Sequence, residues 1–144
     1  MRLWHKDLIK VLPRQQLTAQ WRELNAIASN IKSKGTPNHI LVNKIMDYSL
    51  EHFVSYAYYV RNEMTRRGYK TMDRVWDNIA SVIDECDILP LDNLFPQWHN
   101  FRYLGQCYLN LEEKYDCGGL TDEEFKKITE EFEAGLQKEE MEEI

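Results

Sequence analysis

The sequence lacks the residue patterns on which disulfide-rich and metal-binding proteins depend. It contains three cysteines, and no two of them have CxxC spacing. Their odd number and their spacing exclude a disulfide framework and the common zinc sites. The four histidines are dispersed and form no HExxH-like motif. We therefore expect reduced, partly buried thiols at Cys86, Cys107 and Cys117, and we expect neither a metal nor a cofactor.

Long hydrophobic runs are also absent. No apolar run approaches the roughly 20 residues that span a bilayer, and His5, Lys6 and Asp7 make the N-terminal segment unlike a signal peptide. These absences predict a cytoplasmic protein without a membrane partner. Among 144 residues, 43% hydrophobic and 12% aromatic residues suffice for the core of one globular domain. We expect a monomer in which residues 1–144 form that domain.

The net charge of −6 conceals an uneven distribution of charge along the chain. Residues 1–80 carry 13 Lys and Arg against 7 Asp and Glu, a net charge of +6. Residues 81–144 carry 5 against 17, a net charge of −12. The basic half is compatible with a polyanionic partner such as nucleic acid. The acidic half has two interpretations, a solvated helix face and a surface that binds another protein.

The spacing of apolar residues predicts an all-α fold, a single compact domain of about four to five helices. The first predicted helix has Pro13 in its first turn and runs to about Ile31. The others run over about 49–67, 71–86, 97–115 and from 121 onward. Gly68 is a candidate C′ residue that ends the second helix, and Thr71 is a candidate cap of the third. Thr121 and Glu124 have the spacing of a capping box at the start of an acidic C-terminal helix.

The first helix has two distinct sides. Its apolar side carries Leu17, Trp21, Leu24, Ile27, Ala28 and Ile31. At about 100° per residue, the opposite side gathers Gln15, Ala19, Arg22, Glu23 and Ala26. The two alanines leave room for a bulky ligand beside the charged pair. The alternative is a plain polar surface, because alanine is the best helix former and is common on any helix.

Four separate segments resemble the signatures of a known family. Residues 1–4 read MRLW, residues 12–24 read LPRQQLTAQWREL, residues 38–39 read NH, and residues 66–69 read RRGY. Together they resemble the pyrimidine-dimer DNA glycosylase family. The segment 12–24 is similar to the first-helix motif of that family, and MRLW is similar to the opening of its bacterial members. The resemblance covers roughly residues 1–72.

This resemblance implies a DNA-repair glycosylase with AP lyase activity on damaged double-stranded DNA, containing pyrimidine dimers or abasic sites. In the family, the N-terminal α-amine attacks C1′ of the damaged nucleotide and displaces the base. A Schiff base forms, and β-elimination then cuts the strand. Carried over by motif, Met1 supplies the amine, and Glu23 stabilises the positive charge that develops on the sugar. Arg22 and Gln15 contact the DNA near the lesion.

The chemistry of an α-amine agrees with this role. Its pKa of about 7.7–8.0 leaves it neutral, and therefore nucleophilic, several hundredfold more often at pH 7 than a lysine of pKa about 10.4. The family's phage member exposes a threonine amine after losing its initiator methionine. Here Arg2 is too large for the usual removal, so we expect Met1 to stay. Gln16 and Ala26 stand where the phage member has a histidine and an arginine that assist DNA binding.

Further residues near these motifs are candidates for DNA binding. Basic side chains that could contact phosphates are Arg2, Lys6, Lys10, Arg14, Arg22, Lys32, Lys34 and Lys44. His39 could approach the site from its turn, and a hydrogen-bonded structural role is the alternative. We therefore predict a DNA-binding set of Arg2, Arg14, Gln15, Arg22 and His39. Two other functions stay open: a nucleic-acid-binding module without lyase chemistry, and an acidic helical adaptor that binds other proteins.

Overall fold

The fold is built from helices throughout the described part of the chain. The computed structural model describes residues 2–143 and contains no β-strand in this range. Its α-helices are α1 (Arg14–Lys34), α2 (Leu50–Arg66), α3 (Asp73–Ala80), α4 (Phe101–Asp116) and α5 (Asp122–Glu142). Short 3₁₀ helices cover Lys6–Val11, Val42–Asp47 and Leu91–Asn93. The prediction of an all-α fold is confirmed.

Helix α1 turns its predicted apolar side towards the core. All six residues of that side are buried, and the helix packs against α2 and α3. Pro13 precedes the helix instead of lying in its first turn, and Gly35 ends it in the left-handed conformation, at a φ of 78° that favours glycine. The opposite side stays at the surface, where Arg22 is exposed and Glu23 is half-buried.

The end of α2 is tied to the segment that leads into α1. Gly68 follows the helix with a φ of 83°, as predicted. The Arg67 guanidinium donates hydrogen bonds to Leu12 O at 2.7 Å and to Lys10 O at 3.1 Å. Its Nε also donates to the buried carboxylate of Glu63 at 2.8 Å. These bonds satisfy carbonyl groups just before α1 and fix where that helix begins.

Helix α3 is shorter than the predicted 71–86. Thr71 does not cap it, and the helix ends at Ala80. The Ser81 hydroxyl donates to Asn78 O at 2.8 Å, which is the acceptor that the next helical N–H would use. The N–H of Val82 bonds instead to the carbonyl three residues back, at 3.4 Å. A local hydroxyl–backbone hydrogen bond thus competes with the helical pattern and ends the helix.

Helix α4 begins at Phe101. The sequence predicted an earlier start, at about residue 97. Phe95 and Gln97 have φ angles of 47° and 77°, which a right-handed helix of L-residues excludes. The side chain of Asn100 then caps the helix by accepting a hydrogen bond from Tyr103 N at 2.9 Å. Helix α4 therefore starts only after these two residues, at the cap that Asn100 provides.

Helix α5 packs along α4 and along the first 3₁₀ helix. Thr121 and Glu124 form the predicted capping box at its start. Lys10 Nζ lies 3.2 Å from a carboxylate oxygen of Glu131. Most of the acidic side chains of α5 are exposed to solvent, which is typical of a solvated helix face.

The three cysteines form no disulfide, as predicted. Cys107 is buried and Cys86 is half-buried, whereas Cys117 is exposed. The expectation of partial burial is therefore wrong for Cys117, because it follows the last residue of α4 in an exposed turn.

A buried histidine pair fastens the N-terminal segment to the start of α4. The rings of His5 and His99 stack with centroids 5.1 Å apart, and His5 Nε2 lies 3.0 Å from His99 O. The backbone N–H of Lys6 donates to His99 Nδ1 at 3.0 Å, and that of Asp7 donates to His5 Nδ1 at 3.1 Å. Both rings accept at Nδ1, so both are neutral. Burial lowers the pKa of each ring, that of His5 to about 4.

The histidine pair should make the protein less stable in mild acid. In the unfolded chain both rings take up protons near pH 6.5, whereas native His5 resists protonation down to about pH 4. The unfolded state therefore binds more protons in this window. The free energy of unfolding should fall by about 1–3 kcal/mol for His5 alone as the pH drops through it. Urea unfolding at a series of pH values, followed by tryptophan fluorescence, measures this loss.

A His5→Gln variant is the matched control for this prediction. The glutamine amide can donate to His99 O and accept from Asp7 N, but it does not titrate. We expect the pH dependence between about 6.5 and 4 to become shallower in this variant. An unchanged slope would assign the acid sensitivity to other groups.

Candidate functional site

A groove of about 780 Å³ lies along the surface side of α1. Helix α1 forms one wall, and the start of the chain and α4 form the other. The lining residues are Arg2, Trp4, Gln15, Gln16, Thr18, Ala19, Gln20, Arg22, Glu23, Asn110 and Lys114. The groove is thus made by parts of the chain that are about 90 residues apart in sequence.

Four of the predicted site residues line this groove: Arg2, Gln15, Arg22 and Glu23. The small side chain of Ala19 lies among them, as the helix geometry predicted. Among residues 2–143, neither Arg22 nor Glu23 takes part in an ion pair within 4.0 Å. Both charges are therefore available to a ligand in the groove.

The charged side chains give the groove a positive balance. Arg2, Arg22 and Lys114 contribute three cations against the one carboxylate of Glu23. Guanidinium and ammonium groups on both walls are suited to a phosphate backbone that runs between them. The carboxylate lies where it can stabilise a positive charge on a bound ligand.

The α4 wall was not predicted from the sequence. Asn110 and Lys114 are four residues apart on α4, so both face the same side of that helix. They lie in the acidic half of the chain, where the charge pattern gives no indication of a basic site. These two side chains line the groove because α4 packs beside the start of the chain and α1. Local sequence patterns do not indicate how helices pack against each other.

A second unpredicted residue, Gln20, is completely buried between the groove and the core. Its Nε2 donates to Arg2 O at 3.0 Å, and its Oε1 accepts from Trp4 N at 2.9 Å. The sequence does contain a signal for it: Gln20 lies three residues after Leu17 and four before Leu24, on the apolar side of α1. A polar side chain at such a position needs hydrogen-bond partners inside the protein.

Two tyrosines reach the same segment from other helices. Tyr56 of α2 donates to Trp4 O, and Tyr103 of α4 donates to Leu3 O, each at 2.6 Å. Burial raises the pKa of both hydroxyls, and the negative charge of Glu23 adds to the rise at Tyr56. Both tyrosines therefore remain protonated donors at neutral pH.

Arg14 and His39 lie away from the groove. The Arg14 guanidinium stacks over the ring of Tyr69 at 4.6 Å from its centroid. The Nδ1 atom of His39 accepts from Leu41 N at 3.3 Å, which orders its own loop. This hydrogen bond is the kind that the structural alternative for His39 expects, and DNA binding by His39 stays a prediction. Neither side chain lines the groove with Glu23.

The beginning of the chain carries one predicted site residue and one tryptophan of the groove. Met1, the predicted source of the amine, lies outside the described residues 2–143, so its position relative to Glu23 stays a prediction. Trp4 lines the groove, but only 7% of it is exposed. The Arg2 guanidinium lies 5.7 Å from the centre of its ring. Trp4 therefore packs as a core residue beneath Arg2.

The chain also matches a known protein family. A model described as pyrimidine dimer DNA glycosylase matches residues 1–77, which is more than half of the chain. The chain belongs to this family. It is therefore a DNA-repair enzyme of the glycosylase type, and DNA is its substrate. No curated protein and no solved structure matches the chain.

The matched region accounts for only part of the groove. It includes α1, α2 and the N-terminal segment, and it ends within α3. Asn110, Lys114 and Tyr103 all lie beyond it. The family match therefore covers the wall that carries Arg22 and Glu23, whereas the α4 wall is known from this structure alone.

Two further properties concern the described residues only. Between residues 2 and 143, no helix combines the length and the apolar character that crossing a membrane requires. The same part of the chain contains no group of three or more His, Cys, Asp or Glu side chains arranged to hold a metal ion.

Proposed function

We propose that this protein is a DNA glycosylase and AP lyase that acts on damaged double-stranded DNA through the α-amine of Met1. The observation that carries the proposal is the groove, in which Glu23 lies together with Arg2, Gln15 and Arg22. These residues come from two separate parts of the family-matched region. Pyrimidine dimers and abasic sites are the lesions that we propose as substrates.

In the proposed reaction, the neutral amine attacks C1′ of the damaged nucleotide. The C1′–base bond breaks, and the base leaves with the electron pair and gains a proton. The bound nitrogen loses a proton and its electron pair forms a double bond to C1′. The C1′–O4′ bond breaks at the same time and O4′ takes up a proton, which leaves a protonated imine on the opened sugar. Removal of a C2′ proton then breaks the C3′–oxygen bond, so the 3′ phosphate leaves and the strand is cut.

The groove residues have separate roles in this scheme. The carboxylate of Glu23 stabilises the positive charge on the sugar and moves protons around the imine. The guanidinium groups of Arg2 and Arg22 and the ammonium of Lys114 hold phosphates on either side of the lesion. Gln15 offers an amide to the extruded nucleotide, which must leave the base stack before C1′ can be attacked.

Borohydride trapping on a duplex with one abasic site tests this function. Borohydride reduces an imine to a stable secondary amine, so an enzyme should become covalently attached to the DNA. Peptide mapping should place the attachment at Met1. Binding should weaken with salt, with a log–log slope of about −2.7 if three groove cations contact phosphates.

The same experiment separates the other candidate functions. A protein that binds the duplex in a salt-dependent manner, but forms no adduct with its native terminus, is a binding module without lyase chemistry. A protein that does not bind the duplex even at low salt is not a DNA enzyme, and its acidic helices then point to a protein adaptor.

A further inference from the structure

We propose that Gln20 is a positioning residue for the nucleophile, acting with Tyr56 and Tyr103 as a clamp on the backbone of residues 2–4. This backbone clamp fixes the path of residues 2–4, the part of the chain that leads to the proposed nucleophile. The inference rests on the proposed function, because it concerns the same amine and the same carboxylate. It adds residues that no predicted motif contained.

The two hydrogen bonds of the Gln20 side chain fix the positions of residues 2 and 4 relative to α1. The side-chain oxygen accepts from Trp4 N at 2.9 Å, and the side-chain nitrogen donates to Arg2 O at 3.0 Å. Turning the amide over would place donor against donor and acceptor against acceptor. The Tyr56 hydroxyl lies 3.2 Å from the Gln20 oxygen, so the two side chains contact each other beneath the segment. Residues 2 and 4 are thus held by one buried side chain.

The two tyrosines complete the clamp from separate helices. Tyr56 holds Trp4 O and Tyr103 holds Leu3 O. Residues 2–5 belong to no helix, so their peptide groups have no helical partners. Without these side chains, buried peptide groups would lose their hydrogen bonds, which is costly in a protein interior. The side chains of α1, α2 and α4 therefore determine the path of the chain at this point.

The position of Gln20 on α1 connects the clamp to the chemistry. Gln20 and Glu23 are three residues apart on α1, and such positions are neighbours on a helix, about 5–6 Å between Cβ atoms. Holding Arg2 O on Gln20 therefore holds the peptide of Arg2 beside Glu23. The proposed nucleophile belongs to the residue before Arg2, so holding Arg2 O fixes the chain one residue away from it.

The rate of such an attack depends strongly on position. A reacting atom displaced by about 1 Å can cost on the order of 100-fold in rate. A chain end is the most mobile part of most proteins unless other groups hold it. A nucleophile on a chain end therefore needs hydrogen bonds nearby that hold the chain. The clamp provides them through three side chains, which bond the backbone of residues 2–4.

A Gln20→Met variant tests the inference, because methionine has a similar length and volume but makes neither hydrogen bond. At saturating abasic-site duplex, the single-turnover rate of borohydride trapping should fall on the order of 10- to 100-fold. The Kd for the duplex should rise by a much smaller factor than the rate falls, because Arg22 and Lys114 keep their positions even if Arg2 shifts with the released segment. Hydrogen exchange of the Trp4 N–H should become faster, as it loses its acceptor.

Asn78→Leu is the matched control. Asn78 is also an amide that ties α1 to another segment, since its Nδ2 donates to Asn25 Oδ1 at 2.8 Å. It lies away from the groove and should lower stability without lowering the trapping rate of the folded protein. A purely structural role for Gln20 would give both variants the same behaviour.

A second variant keeps the test decisive if Gln20→Met does not fold. Tyr103→Phe removes one hydroxyl and one hydrogen bond of the clamp, and it should slow trapping in the same way but less strongly. If the wild-type protein is trapped and both clamp variants are trapped at the same rate as the wild type, the clamp is overturned and the proposed function stands. Absence of trapping by the wild-type protein would overturn both.

Discussion

Replacing Glu23 by glutamine should abolish strand cleavage while the protein still folds and binds DNA. The Glu23→Gln side chain keeps its shape but loses the charge that stabilises a cationic sugar. It also loses the ability to take up a proton. Groups in this position contribute on the order of 10²–10⁴-fold to a rate. We expect a loss of this size in single-turnover cleavage of an abasic-site duplex.

The Kd of the Glu23→Gln protein for DNA separates a loss of chemistry from a loss of binding. Removing a negative charge from a groove that faces phosphates should leave the Kd unchanged or make it smaller. Since no described residue forms an ion pair with Glu23, the substitution leaves no partner between residues 2 and 143 unpaired. Glu51→Gln, which changes a half-buried carboxylate of α2 outside the groove, should cleave at the wild-type rate. A fully active Glu23→Gln protein would remove this carboxylate from the mechanism.

The α1 wall of the groove was predictable because it is a property of one helix. Once an apolar side is identified, helical geometry places five residues on the other side: Gln15, Ala19, Arg22, Glu23 and Ala26. All of them except Ala26 line the groove. Arg14 shows the limit of this reasoning. It is equally close in sequence, but Tyr69 lies next to it and holds its guanidinium elsewhere. Proximity along the chain therefore did not indicate proximity in space.

The helix boundaries show the same limit on a local scale. Apolar residues continue at helical spacing through Val82 and Ile83, so the sequence predicts a longer α3. A single hydroxyl, that of Ser81, ends it through a hydrogen bond to Asn78 O. Periodicity describes which side of a helix would be buried, but it does not weigh competing hydrogen bonds at its end.

The acidic half of the chain contributes one cation and no carboxylate to the lining of the groove. Helix α5 contributes no lining residue. It packs on α4 and on the first 3₁₀ helix, with Glu131 beside Lys10. Helix α4 separates it from the groove and presents Lys114 there. The acidic half thus supplies a cation to the site while its carboxylates mostly face solvent.

Extending the chain before Met1 should eliminate imine formation. The added residues convert the α-amine into an amide, whose nitrogen is not a nucleophile, and they move the new terminus away from the clamp. Borohydride trapping on an abasic-site duplex should fall to background. Proteolytic removal of the extension, leaving Met1 as the first residue, should restore it. The same extension placed after Ile144 is the matched control, and it should trap at the wild-type rate.

Undiminished trapping by the extended protein would instead identify a lysine as the nucleophile, and the groove makes Lys114 the first candidate. The two nucleophiles differ in their pH dependence. An α-amine of pKa about 7.7–8.0 should give a trapping rate that rises with pH and levels off near pH 8, whereas an ordinary lysine continues to gain neutral amine up to about pH 10.4. Lys114→Arg keeps the phosphate-binding charge but removes the reactive amine. If Met1 is the nucleophile, this variant should trap at nearly the wild-type rate, because arginine replaces lysine only as a phosphate contact.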